Sequence, residues 1–92
     1  MDVKWTERGL SDIQFYQKND RKKALKVRQL IDDILLNGLD KGIGKPERLK
    51  HGLSGVYSRH IDKKDRLLYY IDNVDGKDVL VIMACRNHYG DK

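Results

Sequence analysis

Four side chains that could carry out chemistry stand at notable places in this 92-residue chain: a carboxylate, a guanidinium, an imidazole and a phenol, at Glu47, Arg66, His88 and Tyr89. The first lies within a polar segment, the second opens one apolar run, and the last two close another. A proton acceptor, a fixed cation and a proton donor are what cleavage of a phosphodiester without a metal requires. The combination therefore predicts a metal-free site for phosphate chemistry.

Each of these residues also has an ordinary structural explanation. Taken alone, Glu47 fits a surface acid that pairs with a neighbouring lysine or arginine. Arg66 equally fits a salt bridge with Asp62 or Asp65. The His-Tyr pair fits the ragged end of a C-terminal strand. The functional interpretation rests on the set, not on any single member.

Size and composition predict one small domain that spans residues 1–92. A chain of this length buries only about 60–65% of the surface that it exposes when unfolded, so we expect a thin core. The mean hydropathy is −0.71, which suits a soluble globular domain. No apolar run approaches the roughly 20 residues that a membrane-spanning helix needs, so we expect no membrane association. The first residues lack a signal-peptide pattern, and we expect the protein in the cytoplasm.

Cys85 is the only cysteine, so the chain can form no internal disulfide. We expect Cys85 to be a small core residue on a buried strand and not a nucleophile. One cysteine and three scattered histidines do not give the ligand spacing of a zinc site. We therefore expect no metal and no cofactor.

The net charge of +5 is concentrated in the middle of the chain. Residues 41–66 hold eight basic and three acidic side chains, which accounts for the whole excess. A focused basic patch attracts a polyanion, most often RNA or DNA. A merely solvated basic surface is the alternative for its lysines.

Periodicity predicts a short opening strand followed by two helices across residues 6–37. Thr6 and Asp20 are residues that favour helix N-caps, and Asn37-Gly38 is a plausible C-terminal stop. The apolar positions at helical spacing are Leu10, Ile13 and Tyr16 in the first helix, and Ala24, Val27, Leu30, Ile31, Ile34 and Leu35 in the second.

The second half of the chain predicts a polar loop and three strands. The loop covers residues 38–52, which contain four of the eight glycines and the only proline. Strand-like runs follow at about 55–61, 66–73 and 78–86, and Asp75-Gly76 is a turn signal between the last two. The fold class is α+β: β-α-α-β-β-β, with a curved antiparallel sheet packed against a helical hairpin.

Several segments together closely resemble the YoeB/Txe family of bacterial toxins, small RelE-like ribosome-dependent ribonucleases. The matching residues are Trp5, the block Gly44-Lys45-Pro46-Glu47-x-Leu49-Lys50-His51-x-Leu53-Ser54-Gly55, the pair Ser58-Arg59, Arg66-Leu67-x-Tyr69, and the ending Ala84-Cys85-Arg86-x-His88-Tyr89. The resemblance covers essentially the whole chain and implies the RelE/ParE-like fold, which agrees with the pattern of elements above.

The resemblance also implies roles for the four side chains. Glu47 is then the general base, Arg66 stabilises the phosphorane, His88 is the general acid, and Tyr89 lies beside it. The implied reaction is attack of a ribose 2′-hydroxyl on the adjacent phosphate of mRNA in the ribosomal A site. It leaves a 2′,3′-cyclic phosphate and inhibits translation.

Partners follow from the same resemblance. They are the ribosome with its mRNA, and a cognate YefM/Axe-like antitoxin that binds over the active site. Operator DNA is expected to be bound only through the antitoxin complex, and a homodimer is an option. Within the basic patch, we expect four residues to bind the RNA backbone: Lys45, Lys50, His51 and Arg59.

Two other functions remain open from the sequence. The first is a non-catalytic module that binds RNA or the ribosome without cutting it. The second is a purely interacting protein on the same fold, such as a DNA-binding corepressor or a gyrase-directed toxin. Fold alone does not decide between them, because one scaffold can serve several targets.

Overall fold

The computed structural model describes residues 1–50, 52 and 55–86. Two helices and five strands follow one another along this part of the chain. They are β1 (Asp2–Trp5), α1 (Glu7–Asn19), α2 (Arg21–Asn37), β2 (Glu47–Arg48), β3 (Tyr57–His60), β4 (Arg66–Val74) and β5 (Lys77–Ala84).

Both helices begin at the capping residues that the sequence predicts. The hydroxyl of Thr6 accepts a hydrogen bond from the backbone N–H of Gly9, and the carboxylate of Asp20 accepts one from that of Lys23. These side chains satisfy backbone donors that have no partner within the helix. The second helix ends before Gly38, as predicted.

The five strands form one sheet in the order β1-β5-β4-β3-β2. The two most apolar strands, β4 and β5, lie inside the sheet, and Asp75 and Gly76 form the tight turn between them. Neighbours from β2 to β5 are antiparallel, whereas β1 runs parallel to β5. The α+β fold class is confirmed, and the edge strand β1 makes the sheet mixed instead of wholly antiparallel.

One strand was missed within the predicted loop. Glu47 pairs with Ser58 and Arg48 pairs with Tyr57, so a two-residue strand closes the sheet beside β3. Two residues are too few to show the alternation by which a strand is recognised in a sequence. The first site residue therefore belongs to the sheet edge and not to a free loop.

The core lies between the helices and one face of the sheet. Of the predicted apolar positions, Leu10 and Leu35 are exposed, while the others are buried or partly buried. The sheet contributes residues that alternate along each strand, including Leu67, Tyr69, Leu80 and Ile82. The residues between them point to the opposite side. We call that side the distal face; it carries Glu47, Ser58, His60, Arg66 and Leu68.

A close contact brings α1 onto β5. A Cβ atom added to Gly9 would lie 2.5 Å from the backbone oxygen of Ile82. Any other residue would push the helix away from the strand, so this glycine allows α1 to reach the end of β5.

Cys85 follows β5 and is fully buried, which confirms the prediction of a core residue. Burial, together with the nearby carboxylate of Asp12, raises the pKa of the Cys85 thiol to about 12. A thiol that stays protonated at neutral pH is a poor nucleophile.

Candidate active site

Glu47 and Arg66 share the distal face, although they lie on different strands. Glu47 is the register partner of Ser58 on β3, and Arg66 is the partner of His60 on the same strand. Directly paired residues project to the same side of a sheet, and so do residues two positions apart. The sheet therefore brings the carboxylate and the guanidinium to one surface.

The separation of these two residues suits a phosphodiester. Ordinary strand spacing and rise per residue put the Cα atoms of Glu47 and Arg66 about 12 Å apart. Side chains of these lengths can both contact a single phosphate group above the sheet. Glu47 is exposed and Arg66 is partly buried, whereas Ser58, which lies between them on the same face, is buried.

His60 lies in the same place and was not among the predicted site residues. Burial and the charges of Arg66 and Lys45 lower the pKa of its imidazole, while Glu47 acts in the opposite direction. The imidazole is therefore largely neutral at neutral pH. No signal in the sequence pointed to it, because Arg59 was expected at the surface and the residues near His60 on this face lie on other strands.

Arg59 does not belong to the RNA-binding surface, so that prediction is corrected. Its side chain is fully buried and forms a salt bridge with Asp33. The guanidinium also donates to the hydroxyl of Tyr69 and to three backbone carbonyls, at Gly38, Lys41 and Ile43. A guanidinium engaged in this way has no donor to offer a phosphate.

The buried guanidinium instead holds the loop that leads to Glu47. The three carbonyls that it binds lie within residues 38–43, and the hydroxyl of Tyr69 donates to the carbonyl of Leu39 over 2.6 Å. The carboxylate of Asp33 accepts from the backbone N–H of Ile43. Arg59 and its hydrogen bonds lower the pKa of Asp33 below its ordinary value, although burial acts against them.

The next part of this loop is shaped by close contacts. A Cβ atom at Gly42 would overlap the carboxylate of Asp33, so only glycine fits there. Lys45 has a φ of 52°, in the left-handed region that non-glycine residues seldom adopt. Such a backbone persists where its surroundings hold it, and here it directly precedes Pro46 and Glu47.

A second group of salt bridges holds the turn before Arg66. The ammonium of Lys23 on α2 pairs with Asp62 at 3.0 Å and with Asp65 at 2.7 Å. These are the two carboxylates that the sequence suggested as partners for Arg66. The hydrogen bond from Lys23 to Asp65 raises the pKa of the lysine. Burial raises the pKa of Asp62, but the backbone N–H of Asp65 and the ammonium of Lys23 outweigh it and lower that pKa to about 2.

Helix α1 holds the backbone that follows β5. The buried carboxylate of Asp12 accepts from the backbone N–H groups of Cys85 at 3.0 Å and Arg86 at 3.1 Å. The hydroxyl of Tyr16 donates to the carbonyl of Cys85 at 2.8 Å, and Arg8 donates to the carbonyl of Arg86 at 2.9 Å. Burial raises the pKa of Tyr16 above its ordinary value, so its hydroxyl remains a donor. Both residues of this segment are therefore fixed to one helix.

Three predicted site residues, His51, His88 and Tyr89, lie outside the described residues. The tethered pair of residues 85 and 86 comes two positions before His88 in the chain.

The basic patch of residues 41–66 is largely a surface feature. Six of its eight basic side chains are exposed, namely Lys41, Lys45, Arg48, Lys50, Lys63 and Lys64. Arg59 is neutralised by its buried salt bridge. The cations that could meet a polyanion thus flank the carboxylate and guanidinium of the distal face along the sequence.

Comparison with known proteins decides the family. A family model described as the YoeB-like toxin of the bacterial type II toxin-antitoxin system matches residues 5–89. The chain belongs to the YoeB toxin family. Toxin YoeB of Escherichia coli strain K12 is 39% identical over 89 residues, covering 97% of this chain and 100% of that toxin.

Solved structures agree with the membership in the YoeB family. A YoeB/ParE toxin from Agrobacterium tumefaciens superposes with a TM-score of 0.89 and 31% identity, covering 97% of this chain and 100% of that one. A heterotetrameric YoeB-YefM toxin-antitoxin complex and a YoeB dimer, both from Staphylococcus aureus, give TM-scores of 0.84 and 0.85. Each is 37% identical and covers 97% of this chain and 98% of its own.

These findings confirm the resemblance to the YoeB family that the sequence motifs indicated. The protein is a toxin of the YoeB family of type II toxin-antitoxin systems. Within the described residues, neither helix is long and apolar enough to cross a membrane.

Proposed function

We propose that this YoeB-family toxin is a metal-free endoribonuclease that cleaves mRNA in the ribosomal A site and so inhibits translation. The observation that carries the proposal is the shared position of Glu47 and Arg66 on the distal face, with exposed cations nearby in the chain. A carboxylate and a guanidinium at this spacing suit a phosphate and a neighbouring ribose hydroxyl.

The proposed roles divide one transesterification among the site residues. Glu47 is the general base for the 2′-hydroxyl, whose oxygen forms a new bond to the adjacent phosphorus. Arg66 stabilises the extra negative charge of the phosphorane. His88 donates a proton to the leaving 5′-oxygen, and Tyr89 lies beside it. The products are a 2′,3′-cyclic phosphate and a 5′-hydroxyl.

Docking on RNA is assigned to the remaining predicted residues of the patch. Lys45 and Lys50 are exposed on the segment that carries Glu47, and His51 follows them in the chain. We propose that these three contact phosphates of the mRNA or of ribosomal RNA. Electrostatic contacts of this kind position a backbone without reading its sequence.

The proposed partners follow the same line. Because a YoeB toxin from Staphylococcus aureus is found in complex with YefM, we propose a YefM/Axe-like antitoxin that covers the active site of this chain. Operator DNA is bound through that complex. A homodimer is proposed from the Staphylococcus aureus YoeB dimer, and the cytoplasm, where ribosomes translate, is the proposed location.

The test is cleavage of a labelled message on purified ribosomes whose A site carries a defined codon. We expect the parent protein to cut within that codon and Arg66→Lys to remain nearly inactive, because a point charge does not reproduce the guanidinium fork. Lys77→Gln removes a cation at the far hairpin and serves as the control. A parent that binds these ribosomes without cutting the message would favour the non-catalytic binding module.

A further inference from the structure

Three leucines lie exposed along one side of α2. Leu25 is 59% exposed, Leu35 is 40% exposed and Leu36 is 82% exposed. At about 100° per residue, they fall on one stripe of the helix together with Arg28 and Asp32. We call these five residues the outer stripe of α2; it faces away from the buried residues of the same helix. Exposed apolar side chains that are grouped, unlike single ones, mark a site of interaction.

An open apolar groove of about 300 Å³ continues the outer stripe toward the sheet. Val3 and Trp5 of β1 line it from one side, and Ala24 and Leu35 of α2 line it from the other. Trp5 is only partly buried there, and β1 is the last strand of the sheet on this side. Covering the stripe and the groove would remove apolar side chains from water, which is favourable.

The order of side chains along the outer stripe is self-complementary about residue 30. Arg28 lies two positions before that residue and Asp32 lies two positions after it. Leu25 lies five positions before it and Leu35 lies five positions after it. When two copies of α2 pack antiparallel about a two-fold axis at this point, each residue meets the one at the same distance on the other side. Arg28 of each copy then meets Asp32 of the other copy, and Leu25 meets Leu35.

The charges of α2 favour the antiparallel arrangement. Cations occupy its first half and acids its second half: Arg21, Lys22, Lys23, Lys26 and Arg28, then Asp32 and Asp33. Lys23 and Asp33 are engaged in salt bridges within the chain, whereas Arg28 and Asp32 are exposed. Antiparallel packing puts the basic half of each helix beside the acidic half of the other and also pairs opposite ends of the helix dipoles. A parallel pair would set like charges against each other.

We propose that a second copy of this chain binds the outer stripe of α2, through an antiparallel pair of these helices related by a two-fold axis. The inference rests on the homodimer that is proposed above, and it names the surface of that dimer. Each copy contributes the same residues, as in any two-fold interface. The helices cover the side of the sheet opposite the distal face, so the pairing leaves the distal face of both copies uncovered.

The test is sedimentation equilibrium of the purified toxin over a range of micromolar concentrations. We expect the parent to form a dimer. Arg28→Glu and Asp32→Arg should each raise its dissociation constant at least about tenfold, because each sets like charges against each other across the interface. Lys77→Glu, a charge reversal at the far hairpin, is the control and should dimerise like the parent. Thermal melts should show that these variants are folded.

An equimolar mixture of Arg28→Glu and Asp32→Arg is the decisive sample. In a mixed pair, the new carboxylate at position 28 of one copy meets the new guanidinium at position 32 of the other. The unchanged Asp32 and Arg28 meet as in the parent. We expect mixed dimers with an affinity close to that of the parent, although each variant alone dimerises weakly. A double variant of one chain is less informative, because positions 28 and 32 are one helical turn apart and can pair within the same helix.

Cysteine cross-linking reads the same register without relying on charge. Cys85 is fully buried, so a cysteine placed on the outer stripe is the accessible thiol. A mixture of Leu25→Cys and Leu35→Cys should form a disulfide-linked dimer on mild oxidation. Each variant alone should not, because its two copies of the thiol lie about 15 Å apart along the helix pair. Val74→Cys, at the exposed far hairpin, should not cross-link either.

The outcomes separate this inference from the proposals on which it rests. A parent that stays monomeric at every concentration overturns the homodimer, and this inference with it, but leaves the proposed ribonuclease function untouched. A dimeric parent whose two charge variants dimerise equally well overturns the surface alone, and so does a mixture that does not re-form a dimer. Binding of Staphylococcus aureus YefM that is lost in Arg28→Glu, beside an unchanged dimer, would assign this face to an antitoxin and would also overturn the proposal.

Discussion

The carboxylate of Asp12 accepts a hydrogen bond from the backbone N–H of Cys85 over 3.0 Å, across 73 positions of the chain. It accepts a second from the N–H of Arg86 and pairs with Arg8. A single buried acid on α1 thus fixes the direction in which the chain leaves β5. The segment that carries His88 and Tyr89 begins directly after this anchor.

Asp12→Asn tests the anchor. The amide keeps the shape of the side chain, but its NH₂ group cannot accept a hydrogen bond and the charge is lost. We expect the free energy of unfolding to fall by about 1.5–3 kcal/mol, the range for hydrogen bonds to charged groups. We expect RNA cleavage to slow even where the variant is fully folded, because the backbone of Cys85 and Arg86, which precedes His88 in the chain, is held less firmly.

Urea denaturation and the ribosome assay measure these two effects. Asp72→Asn, an exposed position toward the far end of β4, is the matched control and should behave like the parent. If Asp12→Asn unfolds at the same urea concentration as the parent, the carboxylate does not anchor the segment.

Arg59 provides a prediction about stability that is independent of RNA. Arg59→Met keeps much of the volume but leaves the carboxylate of Asp33 and three loop carbonyls without their donor. We expect a loss of about 3–5 kcal/mol, as is found when one partner of a buried pair is removed. The measurement is the melting temperature of Arg59→Met. Arg48→Met, which changes an exposed arginine on the neighbouring strand β2, is the control. Equal melting temperatures would be incompatible with a structural role for Arg59.

Lys45 and Lys50 should govern the salt dependence of binding. If each contacts one phosphate, Lys45→Gln and Lys50→Gln should each reduce the slope of log K against log salt concentration by about 0.7–0.9. Affinity for ribosomes that carry a message, measured at several potassium chloride concentrations, gives this slope. Lys77→Gln, which removes a cation from the far hairpin, should leave the slope unchanged. Slopes that do not differ from the parent would place the RNA elsewhere.

Asp62 makes the free energy of unfolding depend on pH within a defined acidic range. Its pKa of about 2 lies below the value near 3.9 of an unfolded aspartate, so its contribution is complete above about pH 4 and is lost as the pH falls toward 2. Asp62→Asn should therefore be less stable than the parent at pH 7, and the difference should shrink as the pH approaches 2. Urea denaturation across this range measures it. A difference that is constant with pH would mean that ionisation of Asp62 does not support the fold.

Local rules were sufficient for much of the fold. The caps at Thr6 and Asp20 and the turn at Asp75-Gly76 are set by neighbouring backbone groups, so the sequence reveals them. The two-residue strand at Glu47 exists only because β3 lies beside it. Pairing of that kind depends on the folded sheet and leaves no periodic pattern.

The candidate site shows the same division. Residue type and family motif selected Glu47 and Arg66, and the sheet register brings them to one face. The basic patch and the family motif also selected Arg59 as an RNA-binding residue. Its partner Asp33 lies 26 positions earlier on a helix, where sequence proximity gives no hint of the salt bridge. His60 was missed because its neighbours on the distal face lie on two other strands. The predictions for His51, His88 and Tyr89 remain predictions.

The central claim is that a carboxylate, a guanidinium and an imidazole from distant parts of the chain act on one phosphodiester. Its most direct test is to map the ends of a message cut on ribosomes by the parent, by Lys77→Gln and by the double variant Glu47→Gln/His88→Gln. We predict cuts within the A-site codon that leave a 2′,3′-cyclic phosphate for the first two proteins, and a rate at least roughly 10²-fold lower for the double variant. A double variant that cuts the same message at the parent rate would contradict the account.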